Sequence, residues 1–408
     1  LKQSEAAAQP FNFFVIEEPM INAFAGPGGH NGIFSGLILS TQSESELASV
    51  IAHEIAHVTQ KHLLRAFDAA NQMSGKTAAL ILAAILVGVT TSSPDAGIAV
   101  ASGVQASALQ QQINFTRSNE QEADHVGIRI LADADFDPRA MPVFFERLTH
   151  ANRLFDSGIP EILRTHPVTT NRIADALSRS EEYAYRQYAG SMRYFLIREA
   201  LRARQFSSPE QAVKHFQAGL EEGRYLNEEA HRYGYALALT ANQEYTQAGK
   251  LLDKLLQKRP QQVEYILARA EIAQQTDQME LAIKSLDTAH IIMPDSYPLS
   301  VTYIETLLQA GRAEAAKKVI GQTRQLRPND PRLFRLLGKA EELLGNSTES
   351  HRLLAEAYVA DGQLKEAVQQ LKIATKNAAK ADFYLSSQIE SRLKELEQRL
   401  AQQEQAAR

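Results

Sequence analysis

Two histidines and a glutamate, His53, Glu54 and His57, have the residue types and the spacing of a metal-dependent hydrolytic site. On an α-helix, residues four apart lie about 40° from each other, so both imidazoles can bind one metal ion. Neutral imidazoles hold zinc, and the adjacent carboxylate would accept a proton from the attacking water without binding the metal itself. This His-Glu-x-x-His pattern is one of the more specific short motifs, and it predicts a zinc hydrolase.

The residues around the motif favour a buried helix over residues 47–58. The segment contains no Gly or Pro, Ser43 stands in position to cap it, and Glu44 and Glu46 lie in its first turn. Most of its other positions are small or apolar, as expected for a helix in the core of a catalytic domain. A chance match on a solvent-exposed helix would have polar neighbours, so the sequence favours the metal site over this alternative.

A third protein ligand must come from another segment, because two histidines leave zinc under-coordinated. His62 is a poor candidate, since on the same helix it would lie about 140° from His57. Glu120 and Asp124 lie on one face of a second predicted helix, whereas Glu122 points roughly 200° away from Glu120. We therefore assign Glu120 as the third ligand and Asp124 as the carboxylate that orients a ligating histidine.

These motifs resemble those of the HtpX-like and CaaX-prenyl-endopeptidase family of zinc metallopeptidases. The resemblance rests on residues 22–29, 36–38 and 53–57 and on Glu120-x-x-x-Asp124. In that family the glutamate of Glu-x-x-x-Asp is the third ligand, which agrees with the assignment of Glu120. The resemblance implies one zinc ion per chain and an endopeptidase in which Glu54 is the general base for attack of water on a peptide carbonyl.

The segment 164–173 resembles the part of the family that closes the catalytic domain beside the active site. His166 on this segment would donate to the developing oxyanion, or would occupy the open zinc position and hold the enzyme idle. The alternative is an ordinary loop or N-cap histidine. Arg172 would pair with an active-site carboxylate or anchor the loop. We assign His166 a role in catalysis and Arg172 a role in supporting the ligands.

Length, composition and charge limit the classes of function. A chain of 408 residues is too long for one ordinary core, so we expect two domains. The formal charge of -5 and the lack of a basic stripe argue against a nucleic-acid partner. The chain has no cysteine, so disulfides and thiolate ligands are excluded. Because the chain begins at Leu1 without a basic-then-apolar leader, we interpret it as mature, with its signal peptide removed.

Two further segments of the first half carry structural predictions. Residues 11–18, 21–25 and 31–39 are β-branched and aromatic runs that predict three strands of a small sheet. The third strand would either offer its edge to an extended substrate or lie inside the sheet. Residues 77–116 predict a hydrophobic helical hairpin that is too short or too polar to cross a bilayer. It would be core, a lid over the cleft, or a surface that contacts membrane or substrate.

The second half has the period of a helical repeat. Ala248, Ala282 and Ala316 are 34 residues apart, as are Pro260, Pro294 and Pro328, which is the tetratricopeptide interval. An apolar stripe on the last helix predicts that this helix caps the stack of repeats. The stripe comprises Leu385, Ile389, Leu393, Leu396 and Leu400. We place a metallopeptidase domain at residues 1–182 and the repeats at 183–408. The predicted fold is an α+β zincin-like domain, mostly helical with a small sheet, followed by an all-α solenoid.

The combination of peptidase and repeats implies, through the resemblance, an enzyme in the periplasm of a Gram-negative bacterium. Its substrates would be unfolded or misassembled outer-membrane proteins. The enzyme would degrade these proteins or assist their assembly. The repeats would present a surface that brings the enzyme to the β-barrel assembly machinery. The competing interpretation is a non-proteolytic chaperone or scaffold, in which the repeats act and the zinc site is latent.

Overall fold

The computed structural model describes residues 11–71, 106–154, 160–378 and 383–406. The chain divides into two compact units, Leu1–Gly234 and Tyr235–Arg408. The predicted domain boundary after residue 182 stays a prediction. Most of the predicted hairpin at 77–116 lies outside the described residues. Within the described part of the chain, no helix is long and apolar enough to span a membrane.

Three short strands form a mixed sheet with the strand order β1-β3-β2. Their bounds are Asn12–Ile16 for β1, Ala23–Gly26 for β2 and His30–Phe34 for β3. Strand β3 runs parallel to β1 and antiparallel to β2. A 3-10 turn joins β2 to β3, and in it Gly28 has a φ of 77°, which favours glycine. Because β3 pairs on both sides, it is the interior strand, and it offers no free edge to a substrate.

The predicted third strand is wrong beyond Phe34, because Ser35–Ser40 forms helix α1. Leu37 and Ile38 are adjacent and both buried, whereas neighbouring residues of a strand point to opposite faces. A short apolar run has no period that separates a buried strand from a buried helix. The sequence pattern was therefore compatible with both structures.

The chain turns into α1 because of contacts with the segment that follows β1. The hydroxyl of Ser35 and the backbone N–H of Gly36 both donate to the carbonyl oxygen of Glu18, at 2.8 and 3.0 Å. A Cβ on Gly36 would lie 2.0 Å from the carbonyl oxygen of Pro19, so this close approach requires glycine. The turn directs the chain toward the helix that carries the metal motif.

Helix α2, Glu44–Thr59, carries the motif and begins as predicted, since the Ser43 hydroxyl accepts a hydrogen bond from the N–H of Glu46 at 3.2 Å. It packs against two long helices, α4, Ala106–Asp133, and α5, Ala140–Leu154. Val50 belongs to a core cluster shared with the sheet, and Ile55 to one shared with α4. The motif therefore lies on a helix with core on two sides.

Six further helices are described between His62 and Ala241. They are α3 His62–Asn71, α6 Glu161–Thr165, α7 Thr170–Glu181, α8 Met192–Arg204, α9 Pro209–Glu222 and α10 Glu228–Ala241. Helix α8 is tied to the end of α1, because the hydroxyl of Tyr194 donates to the carbonyl oxygen of Thr41 at 3.1 Å.

The second unit repeats a pair of antiparallel helices. Its helices are α11 Tyr245–Lys258, α12 Val263–Gln275, α13 Met279–Ile292, α14 Tyr297–Gln309, α15 Ala313–Leu326, α16 Pro331–Leu343, α17 Ser347–Ala360, α18 Leu364–Ala378 and α19 Phe383–Ala406. The starts of α11, α13 and α15 are 34 residues apart, as predicted. Ala248, Ala282 and Ala316 are fully buried. Ile389 and Leu396 of α19 are buried against α18, which confirms the predicted cap.

Candidate active site

Small residues let helices α2 and α4 approach closely and bring the two predicted motifs together. A Cβ on Gly127 of α4 would lie 3.3 Å from the backbone nitrogen of His53 and 3.5 Å from the carbonyl carbon of Ala52. Ala56 and Ala123 are also fully buried. Larger side chains at these positions would force the helices apart. The acidic side chains of α4 can therefore reach the histidines of α2.

Four side chains, His53, His57, Glu120 and His166, converge so that one donor atom of each lies within 4.8 Å of the others. Nε2 of His53 is 3.0 Å from Nε2 of His57 and 3.3 Å from Nδ1 of His166. The carboxylate of Glu120 is 3.4 Å from each of the two Nε2 atoms and 3.1 Å from Nδ1 of His166. The cluster thus combines three imidazoles and a carboxylate, the donor types that bind zinc.

Asp124 and Arg172 are buried beside this cluster and contact its members. Nδ1 of His53 is 3.0 Å from Oδ1 of Asp124. Arg172 donates to both oxygens of Asp124, at 2.8 and 2.9 Å, and its Nη1 is 2.9 Å from Glu120. Arg172 also donates to the carbonyl oxygen of Pro167 at 2.8 Å. Both contacts that the sequence suggested for Arg172, with a carboxylate and with the loop, are therefore present.

The neighbouring charges shift the pKa values of the cluster strongly. Burial lowers the pKa of His53, but Asp124 and Glu120 outweigh burial and raise it to about 10. Burial, with His53 and His166 nearby, places the pKa of His57 well below its usual range. Burial would raise the pKa of Glu120, but the two histidines His166 and His53 hold it well below its usual range. The carboxylates Asp124 and Glu120 therefore favour a proton on His53, whereas His57 stays neutral.

The formal charge of the site indicates what it can bind. Glu54, Glu120 and Asp124 are three buried carboxylates beside one buried guanidinium, that of Arg172. With neutral imidazoles, as metal binding requires, two negative charges remain in the interior, and a bound cation would compensate them in place of the proton that the raised pKa of His53 keeps on that ring. Histidine nitrogens with a carboxylate favour zinc among the divalent metals. These residues therefore fit a bound divalent metal ion.

Glu54 faces a small cavity beside the cluster. Its Oε1 is buried, accepts no hydrogen bond within the described part of the chain, and lies 3.5 Å from Nε2 of His166. The cavity has a volume of about 20 Å³, which is enough for about one water molecule. Apolar side chains such as Phe144 and Leu148 line the rest of it. A buried carboxylate at a cavity of this size can act as a general base toward water.

The structure places all the predicted site residues in one cluster: His53, Glu54, His57, Glu120, Asp124, His166 and Arg172. Their individual roles stay predictions. Nδ1 of His166 lies 3.3 Å from Nε2 of His53, although the two residues are 113 positions apart in the sequence.

His62 is not among the four converging residues, as predicted, but the position predicted for it on the helix was wrong. A helix that continued past His57 would carry His62 on another face, but α2 ends at Thr59 and Lys61 has a φ of 55°. This left-handed residue redirects the chain, and Nδ1 of His62 comes within 2.9 Å of Nδ1 of His57. The signal was present in Glu122, which points away from Glu120 as predicted and contacts His62 at 3.2 Å.

Comparisons with known proteins agree with this site. Residues 1–180 match Peptidase family M48, and residues 273–340 match a tetratricopeptide repeat family. The chain is 33% identical to the beta-barrel assembly-enhancing protease of Yersinia pestis, over 90% of this chain and 75% of that protein. It is 32% identical to the protein of the same name from Escherichia coli strain K12, over 98% of this chain and 81% of that protein.

The fold and the site together define a metallopeptidase with a tetratricopeptide-repeat solenoid. The chain belongs to the family of the beta-barrel assembly-enhancing proteases, and its own residues 1–180 are the part that matches Peptidase family M48. A putative member from Vibrio cholerae is 36% identical over 88% of this chain and 74% of that protein. The predicted fold class and the predicted class of enzyme are therefore confirmed.

Proposed function

We propose that the protein is a zinc-dependent endopeptidase in which His53, His57 and Glu120 hold the metal ion and Glu54 is the general base. One observation carries this proposal: two imidazoles of α2 and a carboxylate of α4 converge within 4.8 Å beside a buried glutamate. When bound, zinc would polarise the peptide carbonyl and lower the pKa of water. Glu54 would take a proton from the attacking water and pass it to the leaving amine.

Asp124 and Arg172 would hold this arrangement in place. Asp124 contacts Nδ1 of His53, which leaves Nε2 of that ring facing the cluster. Arg172 bridges Asp124 and Glu120, so the orientations of a histidine and of the third ligand depend on one guanidinium. Buried partners of this type fix the tautomer and the direction of a metal-binding imidazole.

His166 would restrain the enzyme in this conformation. Its Nδ1 lies among the donor atoms and its Nε2 lies 3.5 Å from the general base Glu54. A histidine in this position would be a fourth donor to the metal and would compete with substrate and water for the site. Displacement of the 160–169 segment would then free Glu54 for catalysis. The alternative, in which His166 donates to the developing oxyanion, predicts the opposite effect of its removal.

For the substrates, we propose unfolded or misassembled outer-membrane proteins in the periplasm of a Gram-negative bacterium. The names of the relatives from Yersinia pestis and Escherichia coli support this proposal, since both are beta-barrel assembly-enhancing proteases. The repeats would contact these clients or the β-barrel assembly machinery. Stacked helix pairs of this type provide extended surfaces for proteins and peptides.

The proposal is tested by the metal content of the purified protein and by cleavage of casein, an unfolded substrate, in the wild type and in Glu54→Gln and His166→Ala variants. We expect one zinc ion per chain in the wild type. We expect Glu54→Gln to keep its metal and lose at least about a hundredfold in cleavage rate, because only the base is removed. Wild-type protein without bound metal, or full cleavage by Glu54→Gln, would contradict the proposal.

The His166→Ala variant decides how the site is regulated. A rise in casein cleavage with one zinc still bound would mean that His166 blocks the site. A fall in cleavage with one zinc still bound would give His166 a catalytic role in its place.

A second candidate is a chaperone whose zinc site is latent, and the position of His166 at Glu54 favours it. Folding of an outer-membrane β-barrel protein in the presence of Glu54→Gln separates the two functions. If assembly assistance persists without cleavage, both activities belong to the protein. If it disappears with cleavage, the chaperone candidate loses its support.

A further inference from the structure

His62 has a structural setting that the proposed active site does not explain. It begins helix α3, is buried, and follows the left-handed residue Lys61. A positive φ at a lysine costs free energy and persists only where surrounding contacts compensate it. The contact formed here is between Nδ1 of His62 and Nδ1 of His57, at 2.9 Å. The turn therefore places a buried imidazole directly behind a proposed metal ligand.

The direction of hydrogen bonding along this chain of contacts follows from the proposed role of His57. If its Nε2 binds metal, its proton must lie on Nδ1, which then donates to Nδ1 of His62. Since Nδ1 of His62 accepts, its own proton lies on Nε2, which is 3.2 Å from Oε2 of Glu122 and donates to it. Each group thus has one compatible role, and the chain ends on a carboxylate.

Glu122 is held in turn by a residue of α3. Arg65 donates to Oε2 of Glu122 at 2.7 Å and to the side-chain oxygen of the buried Asn119 at 3.2 Å. This arrangement matches the support of His53, where Asp124 contacts the histidine and Arg172 pairs with Asp124. Each proposed histidine ligand of α2 is therefore backed by a carboxylate and an arginine, directly at His53 and through an imidazole at His57.

We propose that His62 and Glu122 are positioning residues that set the tautomer and the orientation of His57 for metal binding. The inference rests on the proposed function, because it assumes that His57 is a ligand. Partners behind a metal-binding histidine change metal affinity by about 10- to 100-fold when they are removed. The relevant measurement is therefore metal affinity, which does not require the enzyme to turn over substrate.

The test compares the zinc dissociation constants of full-length variants by competition with a chromophoric chelator. His62→Leu removes the acceptor for His57, whereas His62→Gln keeps an oxygen that accepts and an amide that donates toward Glu122. The matched control is His125→Leu, which breaks another histidine–carboxylate pair of α4, with Asp175 at 2.6 Å, away from the converging donor atoms. The absorption spectrum of the cobalt-loaded protein reports the ligand geometry independently.

We expect His62→Leu to weaken zinc binding by about 10- to 100-fold, and Glu122→Gln by about three- to tenfold because that carboxylate is partly exposed. His62→Gln should bind zinc within about threefold of the wild type, as should His125→Leu. The cobalt spectrum should change in His62→Leu and not in His125→Leu. Melting of the metal-free proteins checks that each variant folds.

Three outcomes would overturn the inference while leaving the proposed function intact. These are unchanged zinc affinity in His62→Leu, equal losses in His62→Leu and His62→Gln, and equal losses in His62→Leu and the His125→Leu control. If His62→Leu does not fold, the other two variants decide. The inference would be overturned if Glu122→Gln binds zinc with wild-type affinity while His62→Gln loses as much affinity as is expected for His62→Leu. A wild-type protein that binds no zinc would remove the proposed function itself, and the positioning role with it.

Discussion

The active site buries charged side chains that pair with one another, whereas the central core of the helical repeats is apolar. In the site, the buried residues include Asp124 and Arg172, charged side chains whose contacts connect α4 with α7, 48 residues further along the chain. In the repeats, the central cluster consists of Ala, Leu, Ile, Val and Tyr, and its members come from neighbouring helices. The site concentrates polar groups from distant segments, whereas the repeats distribute apolar contacts along the chain.

This difference explains how the two regions should respond to substitution. A buried charge depends on one or two specific partners, and loss of either partner leaves the other uncompensated. An apolar helix interface depends on volume, and many neighbours share the effect of one change. We therefore expect large, residue-specific effects in the site and graded effects in the repeats.

Substitution of Arg172 by Met gives the largest expected loss of stability. It leaves Asp124 and Glu120 buried without their guanidinium, so the free energy of unfolding of the metal-free protein should fall by about 3–5 kcal/mol. The control is Arg179→Met on the same helix, where the pair with Asp175 is partly exposed and a loss below about 1 kcal/mol is expected. Urea unfolding in EDTA, followed by far-UV circular dichroism because the chain has no tryptophan, measures both. Equal losses in the two variants would contradict the contrast.

Substitution of Ala316 by Leu tests the repeats with an intermediate effect. Ala316 is fully buried in α15, so a larger side chain would separate the helices and should cost about 1–3 kcal/mol. The neighbouring Ala315 is exposed, and its change to Leu should alter the free energy of unfolding by less than about 0.5 kcal/mol. The urea experiment above applies to both. A loss of 4 kcal/mol or more, on the order of the loss in Arg172→Met, would mean that the repeats are as residue-specific as the site.

The smallest effect is expected for a surface ion pair between successive repeats. Arg312 contacts Glu280 at 2.5 Å, with 45% and 74% of the two side chains exposed. Arg312→Gln should therefore change the free energy of unfolding by less than about 1 kcal/mol, and 1 M sodium chloride should remove the difference from the wild type. A larger, salt-resistant loss would show that charge pairs contribute to repeat stacking.

Local patterns predicted much of the fold. The cap at Ser43, the helical motif of α2 and the 34-residue interval depend on residues close together in the chain, so spacing alone was sufficient. The prediction of a strand over 31–39 was wrong from Ser35 onward. The chain turns there because of contacts with Glu18 and Pro19, and the hydrophobic periodicity of the sequence does not reveal contacts of this kind. The interior position of β3 likewise depends on its pairing with β1, because β2 lies between these two strands in the sequence but not in the sheet.

For the active site, the sequence by itself determined which chemistry is available. His53 and His57 share a helix face through their spacing, and so do Glu120 and Asp124, since one helix turn relates each pair. Only the tertiary structure decided that these two faces meet, that His166 reaches the same donors, and that His62 turns back onto His57. These contacts depend on the close packing of α2 on α4 at Gly127 and on the left-handed Lys61. The close helix packing and the left-handed turn depend on how distant segments meet in space, and the order of residue types along the chain does not specify this.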